Sequence, residues 1–353
     1  MAVKKSKIQI ILVGCGAVSQ QFYAPALAGI GKVAQAEVVG LVDPNIVARD
    51  VLARRFSAAC VGNRIETIGK TIAPSGCLCI IATPPKYHLP IALQAFNRGW
   101  HVLCEKPIAS TSIEATEMTT AAKRAQRLFA IGHYKRFMPS HRAIKSLIES
   151  KTLGRLNNVD IAEGGKFIWP AATDSFFRKE ETPGGVFLDI GVHVLDLLLW
   201  WLGKPTSFEY ADDARDGLEA NSLLTAEFQQ IGNSEQFPVR VRVRLSRDWE
   251  TANCYVFQFE KAVIHSRVNE SNRLELTFDD IPMTFAAELR DRLPRQQAAR
   301  TMALETNAQA FIAQLEDIFA AIRGNRVPLV TGEDGAAAVH WIEQCYKARK
   351  SLP

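Results

Sequence analysis

Five short apolar runs in the first third of the chain, most of them running into a turn, constrain the fold more than any other feature. They are Ile8–Val13, Glu37–Val42, Cys77–Ala82, His101–Cys104 and Phe129–Gly132, and helix-like stretches fill the gaps between them. A continuous apolar run of this length is the mark of a strand buried on both faces, as in a parallel sheet. Strands spaced by helices specify βαβ units with right-handed crossovers. The expected fold class is therefore α/β, with a doubly wound parallel sheet at the N-terminus.

The pattern changes near residue 135. Ser140–Glu149 reads as a helix, Asn158–Ile168 as a strand, and Val186–Trp201 as a second helix. Extended segments follow at Ser222–Gln230, Pro238–Trp249, Cys254–Glu260, Ala262–Val268 and Arg273–Phe278, with helices over Ala303–Arg323 and Gly335–Ala348 closing the chain. Alternating polarity and tight turns predict a C-terminal α+β domain built on a large open, mainly antiparallel sheet. The expected domains are residues 1–133 and 134–353.

At 353 residues, 47% hydrophobic and 22% charged, the chain has the composition of a globular protein of two ordinary domains. Its net charge of +5 is scattered, with no dense basic block, so no nucleic-acid partner is expected. No apolar stretch reaches the ~20 residues of a membrane span. The seven cysteines lack CxxC spacing and mostly sit in apolar runs, as buried thiols of a reducing compartment do. The expectations are a cytoplasmic location, no membrane partner and no metal site.

Gly14-x-Gly16-x-x-Ser19 lies between a strand and a helix, the setting of a dinucleotide fingerprint with Ser in the third glycine's place. Gly14 allows the tight turn, and Gly16 lets the backbone approach a pyrophosphate at the helix N-terminus, with Ala17 and Val18 beside it. Asp43 ends the second strand, where a carboxylate accepts from a ribose 2′-hydroxyl and repels a 2′-phosphate. NAD is therefore favoured, and Arg49, Arg54 and Arg55 nearby leave NADP open. Thr83-Pro84-Pro85 and Glu105-Lys106-Pro107 follow later strands at the same edge, where open α/β sheets bind ligands. Thr83, Pro84, Pro85, His88, Glu105 and Lys106 join the cofactor-binding set, although capping or packing would also explain His88. A lysine held between a buried strand and a proline can polarise a substrate oxygen beside a nicotinamide.

The segment Val186–Trp201 is apolar nearly all round, yet Asp189, His193 and Asp196 interrupt it at spacings that share one helical face. Buried polar groups need partners, so something polar must face them. His193 is the candidate general acid/base, and Asp189 is placed either to orient its ring or to bind a neighbouring substrate hydroxyl. Asp196 reads as structural. Arg136, Trp169 and the pair Phe176-Phe177 are candidates for substrate contact. Arg240, Arg242 and Arg244 share one face of a strand and read as a solvated or subunit-paired surface.

In chain order, Gly14-Cys-Gly16, Val42-Asp43-Pro44, Ala82-Thr-Pro-Pro-Lys-Tyr-His88, Cys104-Glu-Lys106-Pro107, Arg136-Phe137, Gly184-Gly185…Asp189-x-Gly-x-His193…Asp196 and Gly332-Glu-Asp-Gly335 give the chain a resemblance to a known family. It resembles the glucose-fructose oxidoreductase, inositol dehydrogenase and rhizopine-catabolism group (Gfo/Idh/MocA). The resemblance implies a Rossmann domain followed by an open-sheet domain, an active site in the cleft between them, and Lys106, Asp189 and His193 as the catalytic set. It also implies hydride transfer between NAD(P) and a secondary alcohol or ketone of a sugar or cyclic polyol, in a homodimer or homotetramer. Two departures stand out: Tyr134 occupies a position where the family often has Asn, and Ser19 replaces a small residue. A cofactor-binding regulator without turnover, and a redox-neutral lyase or glycosidase with tightly held NAD, are the alternatives. The particular sugar and the direction of reaction are not legible.

Overall fold

The computed structural model describes residues 7–31, 33–57, 60–68, 76–167, 177–179, 182–215, 217–231, 236–278, 281–286 and 306–352. Trp169 and Phe176, two of the expected substrate contacts, lie outside them, as do Ile168 and residues 303–305. The chain divides into two compact units: Met1–Tyr134 with Pro170–Asp174 and Ala299–Val339, and Lys135–Trp169 with Ser175–Ala298 and His340–Pro353.

In the first unit the strands are β1 Ile8–Val13, β2 Ala36–Val42, β3 Cys60–Gly62, β4 Cys77–Ile81, β5 His101–Cys104 and β6 Phe129–Ile131. The helices are α1 Ala24–Ile30, α2 Ile46–Phe56, α3 His88–Asn97 and α4 Ser112–Ala125. All strand pairs are parallel, in the order β3-β2-β1-β4-β5-β6. That is the Rossmann order, and it reverses between β1 and β4, where such sheets bind ligands outside their carboxyl ends. The short strand β3 was not expected from sequence, because its three residues carry no periodic signal. Burial explains the unbroken apolar runs: Ile10, Leu12, Leu41, Ile80 and Leu103 are fully buried. Local chemistry sets the helix starts, with Asn45 Oδ1 accepting from Val47 and Ala48 ahead of α2, and Thr111 and Glu114 forming a capping box on α4.

The second unit holds α5 Pro139–Ser150, β7 Leu156–Gly164, α6 Val192–Leu202, β8 Ser207–Asp212, β9 Asn221–Ile231, β10 Gln236–Ser246, β11 Cys254–Phe259, β12 Val263–Arg267, β13 Arg273–Phe278 and β14 Ile281–Ala286. Two C-terminal helices follow, α7 Thr306–Gly324 and α8 Gly332–Lys347, then a short strand β15 Lys350–Ser351. The sheet is nine-stranded, in the order β14-β13-β12-β11-β7-β10-β9-β8-β15. It is mixed: β7 runs parallel to β10 and β15 parallel to β8, while the other pairs are antiparallel. Along β10, Val239, Val241, Val243 and Leu245 are buried and Arg240, Arg242 and Arg244 exposed. Arg242 pairs with Asp160 at 2.6 Å across the sheet. The arginine stripe is thus an exposed face of the single chain.

Two strands stop earlier than the alternation suggests, because side chains take over their backbone groups. Asn253 accepts from the Gly164 amide at 3.0 Å and donates to its carbonyl at 3.0 Å, ending β7. Ser246 Oγ accepts from Trp249 N at 2.8 Å, turning the chain out of β10. Helix α7 packs in the first unit, where Phe311 stacks on Phe22 and Tyr134 and meets Tyr23 edge-on.

Two buried ion pairs order the segment that opens the second unit. Lys135 Nζ lies 2.5 Å from Glu163 Oε1, and Tyr255 donates to the same carboxylate. Arg136 grips Asp196 of α6 through two nitrogens, at 2.9 and 2.7 Å, with side chains 3% and 1% exposed. A dry pair of this kind is weak evidence for net stability, but removing one partner strands a buried charge. Arg136→Met is expected to cost about 3–5 kcal/mol of unfolding free energy, and adding Asp196→Leu should recover most of it. Urea denaturation followed by circular dichroism checks both, and equal losses in the single and double variants would contradict it.

Candidate active site

In the first unit, the chain leaves β1 through Gly14, whose φ of +94° suits glycine. A Cβ there would also lie 2.3 Å from the carbonyl oxygen of Ala82, so β1 and β4 approach closely at the point where strand order reverses. The turn is tied down from several sides. Gly14 N donates to Val42 O at 2.8 Å, Ser19 Oγ donates to Gly14 O at 2.5 Å, and Cys15 N donates to Asp43 Oδ2 at 2.7 Å. Burial pushes the Cys15 thiol up to about 12, so it serves as an inert filler here.

Asp43, at the end of β2, therefore does more locally than await a ribose. One carboxylate oxygen holds the glycine turn and the other accepts from Asn45 N at 2.7 Å, which starts α2. Among the described residues, nothing lies within 4 Å of where a Cβ on Gly16 would be, so the backbone there can be approached closely, and Ala17 and Val18 open the helix that follows. Thr83 Oγ1, after β4, is buried with no hydrogen-bond partner among the described residues. A glycine turn, a helix start, a carboxylate at the second strand and an unsatisfied hydroxyl at one sheet edge fit the polar demands of a dinucleotide.

Lys106 is half-buried directly after β5, at the same carboxyl edge, and its peptide bond to Pro107 is cis. Its loop is pinned by His88, the first residue of α3. The ring lies 2.7 Å from Thr83 O through Nε2, and 3.0 and 3.2 Å from Pro107 O and Ile108 O through Nδ1. Burial pushes this imidazole toward its neutral form, while the carbonyls on both sides pull it back. His88 thus joins the Thr83 and Lys106 loops and is fully buried itself. Glu105 points inward, accepting from Tyr23 OH at 2.6 Å. Burial raises its carboxyl above the ordinary value, against the Tyr23 hydrogen bond and the Lys106 charge.

In the second unit, Asp189 and His193 sit at the head of one helix. Residues Phe187–Gly191 form a π turn that runs into α6. Such insertions recur at functional sites, and this one changes the angular spacing expected of a regular α-helix. The polar stripe is accordingly split. Asp196 turns to Arg136, whereas Asp189 remains 23% exposed and takes Arg247 Nη2 at 3.2 Å. His193 is 6% exposed in the first turn of α6. Arg136, expected at the substrate, is paired with Asp196.

Two residues that sequence reasoning passed over organise this head. Glu219, ahead of β9, accepts from the amides of Gly185 at 2.7 Å and Phe187 at 3.0 Å, and from Tyr346 OH at 2.7 Å. Gly185 must be glycine, since a Cβ there would meet the Glu219 carbonyl oxygen at 2.0 Å. Arg247 follows β10 and reaches Asp189 across 58 residues of sequence. The signal available beforehand was slight, an acid and an arginine flanking apolar strands.

Among the described residues, no group of three His, Cys, Asp or Glu could hold a metal ion, and no helix is long and apolar enough to cross a membrane.

Residues 8–133 match the family model described as an oxidoreductase family with an NAD-binding Rossmann fold, and residues 141–252 match the GFO/IDH/MocA C-terminal domain. The chain belongs to the Gfo/Idh/MocA family. It is 26% identical over 234 residues to D-glucoside 3-dehydrogenase of Escherichia coli, covering 66% of this chain and 61% of that protein. It is 34% identical over 196 residues to the rhizopine catabolism protein MocA of Rhizobium meliloti, covering 52% and 59% respectively. The chain thus spans about three fifths of the length of these curated relatives. The same fold occurs in a levoglucosan dehydrogenase solved with NADH and levoglucosan, at a TM-score of 0.78, 17% identity and 97% coverage of both chains.

Two substitutions test the glycine turn separately from the fold. Gly14→Ala should cost about 1–3 kcal/mol of stability through strain and the clash with Ala82. Gly16→Ala, facing open space, should leave the melting temperature unchanged yet weaken NAD binding at least tenfold by calorimetry. For the second unit, Glu219→Ala should lower stability by roughly 2–4 kcal/mol, because buried amides lose their acceptor. Glu219→Gln should lose less in the same thermal unfolding, and an equal loss would argue against capping.

Proposed function

We propose, starting from membership of this family, that the chain is an NAD-dependent oxidoreductase acting on a secondary alcohol or ketone of a sugar or cyclic polyol. Residues 1–133 serve the dinucleotide, and residues 134–353 serve the substrate and self-assembly into a homodimer or homotetramer. The observation that carries the proposal is Lys106 at the carboxyl edge of the parallel sheet, on a loop that His88 fixes to the Thr83 loop beside the glycine turn. Gly14, Gly16, Ala17 and Val18 would seat the pyrophosphate, and Asp43 the ribose. When bound, the nicotinamide supplies the hydride acceptor.

The chain's own groups manage the oxygen and its proton. As the hydride leaves the carbon, His193 takes the hydroxyl proton, and an imidazole ordinarily titrates where this is reversible. Lys106 stabilises the negative charge that grows on the oxygen, as a preplaced cation does best away from bulk water. Asp189 accepts from a neighbouring substrate hydroxyl or from the His193 ring. The relatives and structures with sugar substrates in their names support this substrate class.

Reduced-cofactor absorbance, followed with NAD and NADP against inositols, aldoses and nucleotide sugars, checks the assignment. NAD should outperform NADP, and Asp43→Ser should narrow that preference. His193→Asn and Lys106→Met should each lower kcat by about 10²–10⁴. Substrate conversion without release of NADH would instead favour the redox-neutral lyase or glycosidase chemistry. Failure to bind either cofactor would refute the proposal.

A further inference from the structure

Resting on the oxidoreductase function above, we propose that Arg247 is a positioning residue that holds Asp189 ionised and aimed at the substrate. Its backbone is fixed on two sides: Arg247 N donates to Ala220 O at 2.9 Å, and Phe167 N donates to Arg247 O at 3.0 Å. The first anchor adjoins Glu219, the residue that caps the helix of Asp189. The parallel register of β10 on β7, pairing Ser246 with Gly164, delivers the guanidinium to this helix head.

One nitrogen then does two jobs. Nη2 donates to Asp189 Oδ2 at 3.2 Å and to Gly185 O at 3.2 Å. Gly185 O is also the carbonyl that accepts from Asp189 N at 3.0 Å. The arginine therefore fixes the side chain of Asp189 and the pitch of the turn that carries it. Phe167 and Phe177 rings flank the guanidinium at 5.6 and 5.9 Å, limiting its rotamers and displacing water from its faces.

The contrast with Arg136 shows why this is positioning and not simply burial of a pair. Arg136 grips Asp196 through two nitrogens in a site where both side chains are almost wholly enclosed. Arg247 is also largely buried, at 8%, but the Asp189 side chain is 23% exposed. The Asp189 carboxylate is thus held by Arg247 while part of its surface remains exposed. Among the described residues, Arg247, just past β10, is the charged group that pairs with Asp189, while His193 lies one turn along the helix and Glu219 accepts from amides at its start.

Two readouts on the full-length chain test the proposal. With carbon-13-labelled aspartate, and Asp189→Asn to assign the signal, Arg247→Met should move the Asp189 titration midpoint about 1–2 pH units upward. Arg247→Lys, which keeps the charge, should hold it near the wild-type position. In kinetics with NAD and with myo-inositol and D-glucose as probes, Arg247→Met should lower kcat about 10–100-fold while changing KM less than about threefold. Arg247→Lys should recover part of that loss, and in the Asp189→Asn background Arg247→Met should change kcat less than about threefold. An unmoved midpoint, or losses that simply add in the double variant, would overturn the proposal. A wild-type chain that turns over neither probe nor any other panel sugar would overturn the function instead, and the titration alone would then decide whether Arg247 holds Asp189.

Discussion

The carboxylate of Glu219 at the head of the helix that carries Asp189 and His193 is the interaction on which the second unit's candidate site rests. A helix start leaves amides without intrahelical partners, and burying them unsatisfied is costly. Here the glycines that precede the helix let Glu219 come close enough to accept from Gly185 and Phe187 directly. Tyr346 from α8 closes on the same oxygen, and burial holds its hydroxyl protonated, as a donor must be. Arg349 adds charge from behind, its Nη2 4.0 Å from the other Glu219 oxygen and its Nε 2.8 Å from Asp212. With its start fixed, the helix can afford a π turn, and that irregularity sends Asp189 and Asp196 to different partners.

The first unit solves a similar problem with different groups. Its polar residues at the sheet edge are engaged with each other: Asp43 with the Cys15 amide, Glu105 with Tyr23, and His88 with carbonyls of two loops. Such a network rigidifies loops that would otherwise be free to sample many conformations. Groups that a sequence reader assigns to a cofactor therefore also hold the frame, and the two roles are compatible. Asp43 shows this best, because a carboxylate whose oxygens already accept backbone amides is fixed in the orientation that a ribose would meet.

Much of this was legible beforehand. Buried parallel strands announce themselves as unbroken apolar runs, so β1, β2, β4, β5 and β6 were placed from the chain alone. The alternation in β10 gave both its buried valines and its exposed arginines. Illegible were β3, β14 and β15, which lie at sheet edges where composition carries little signal, and β8 beside the edge strand β15. The partner of Asp196 was also missed: Arg136 is separated from it by 60 residues, and nothing local joins them.

The sequence by itself determined the two kinds of sheet, the glycine turn at the first strand's end, and the set of titratable side chains offered for chemistry. Those are local matters, written in periodicity and in the residues that turns require. Only the tertiary structure decided which charge meets which: Arg136 with Asp196, Arg247 with Asp189, Glu219 with the amides before α6, and His88 with the loops of Thr83 and Lys106. It likewise decided that α7 packs its Phe311 among Phe22, Tyr23 and Tyr134. Pairings over such separations follow from strand register and burial, which fix where a side chain ends up, and no spacing along the chain encodes them.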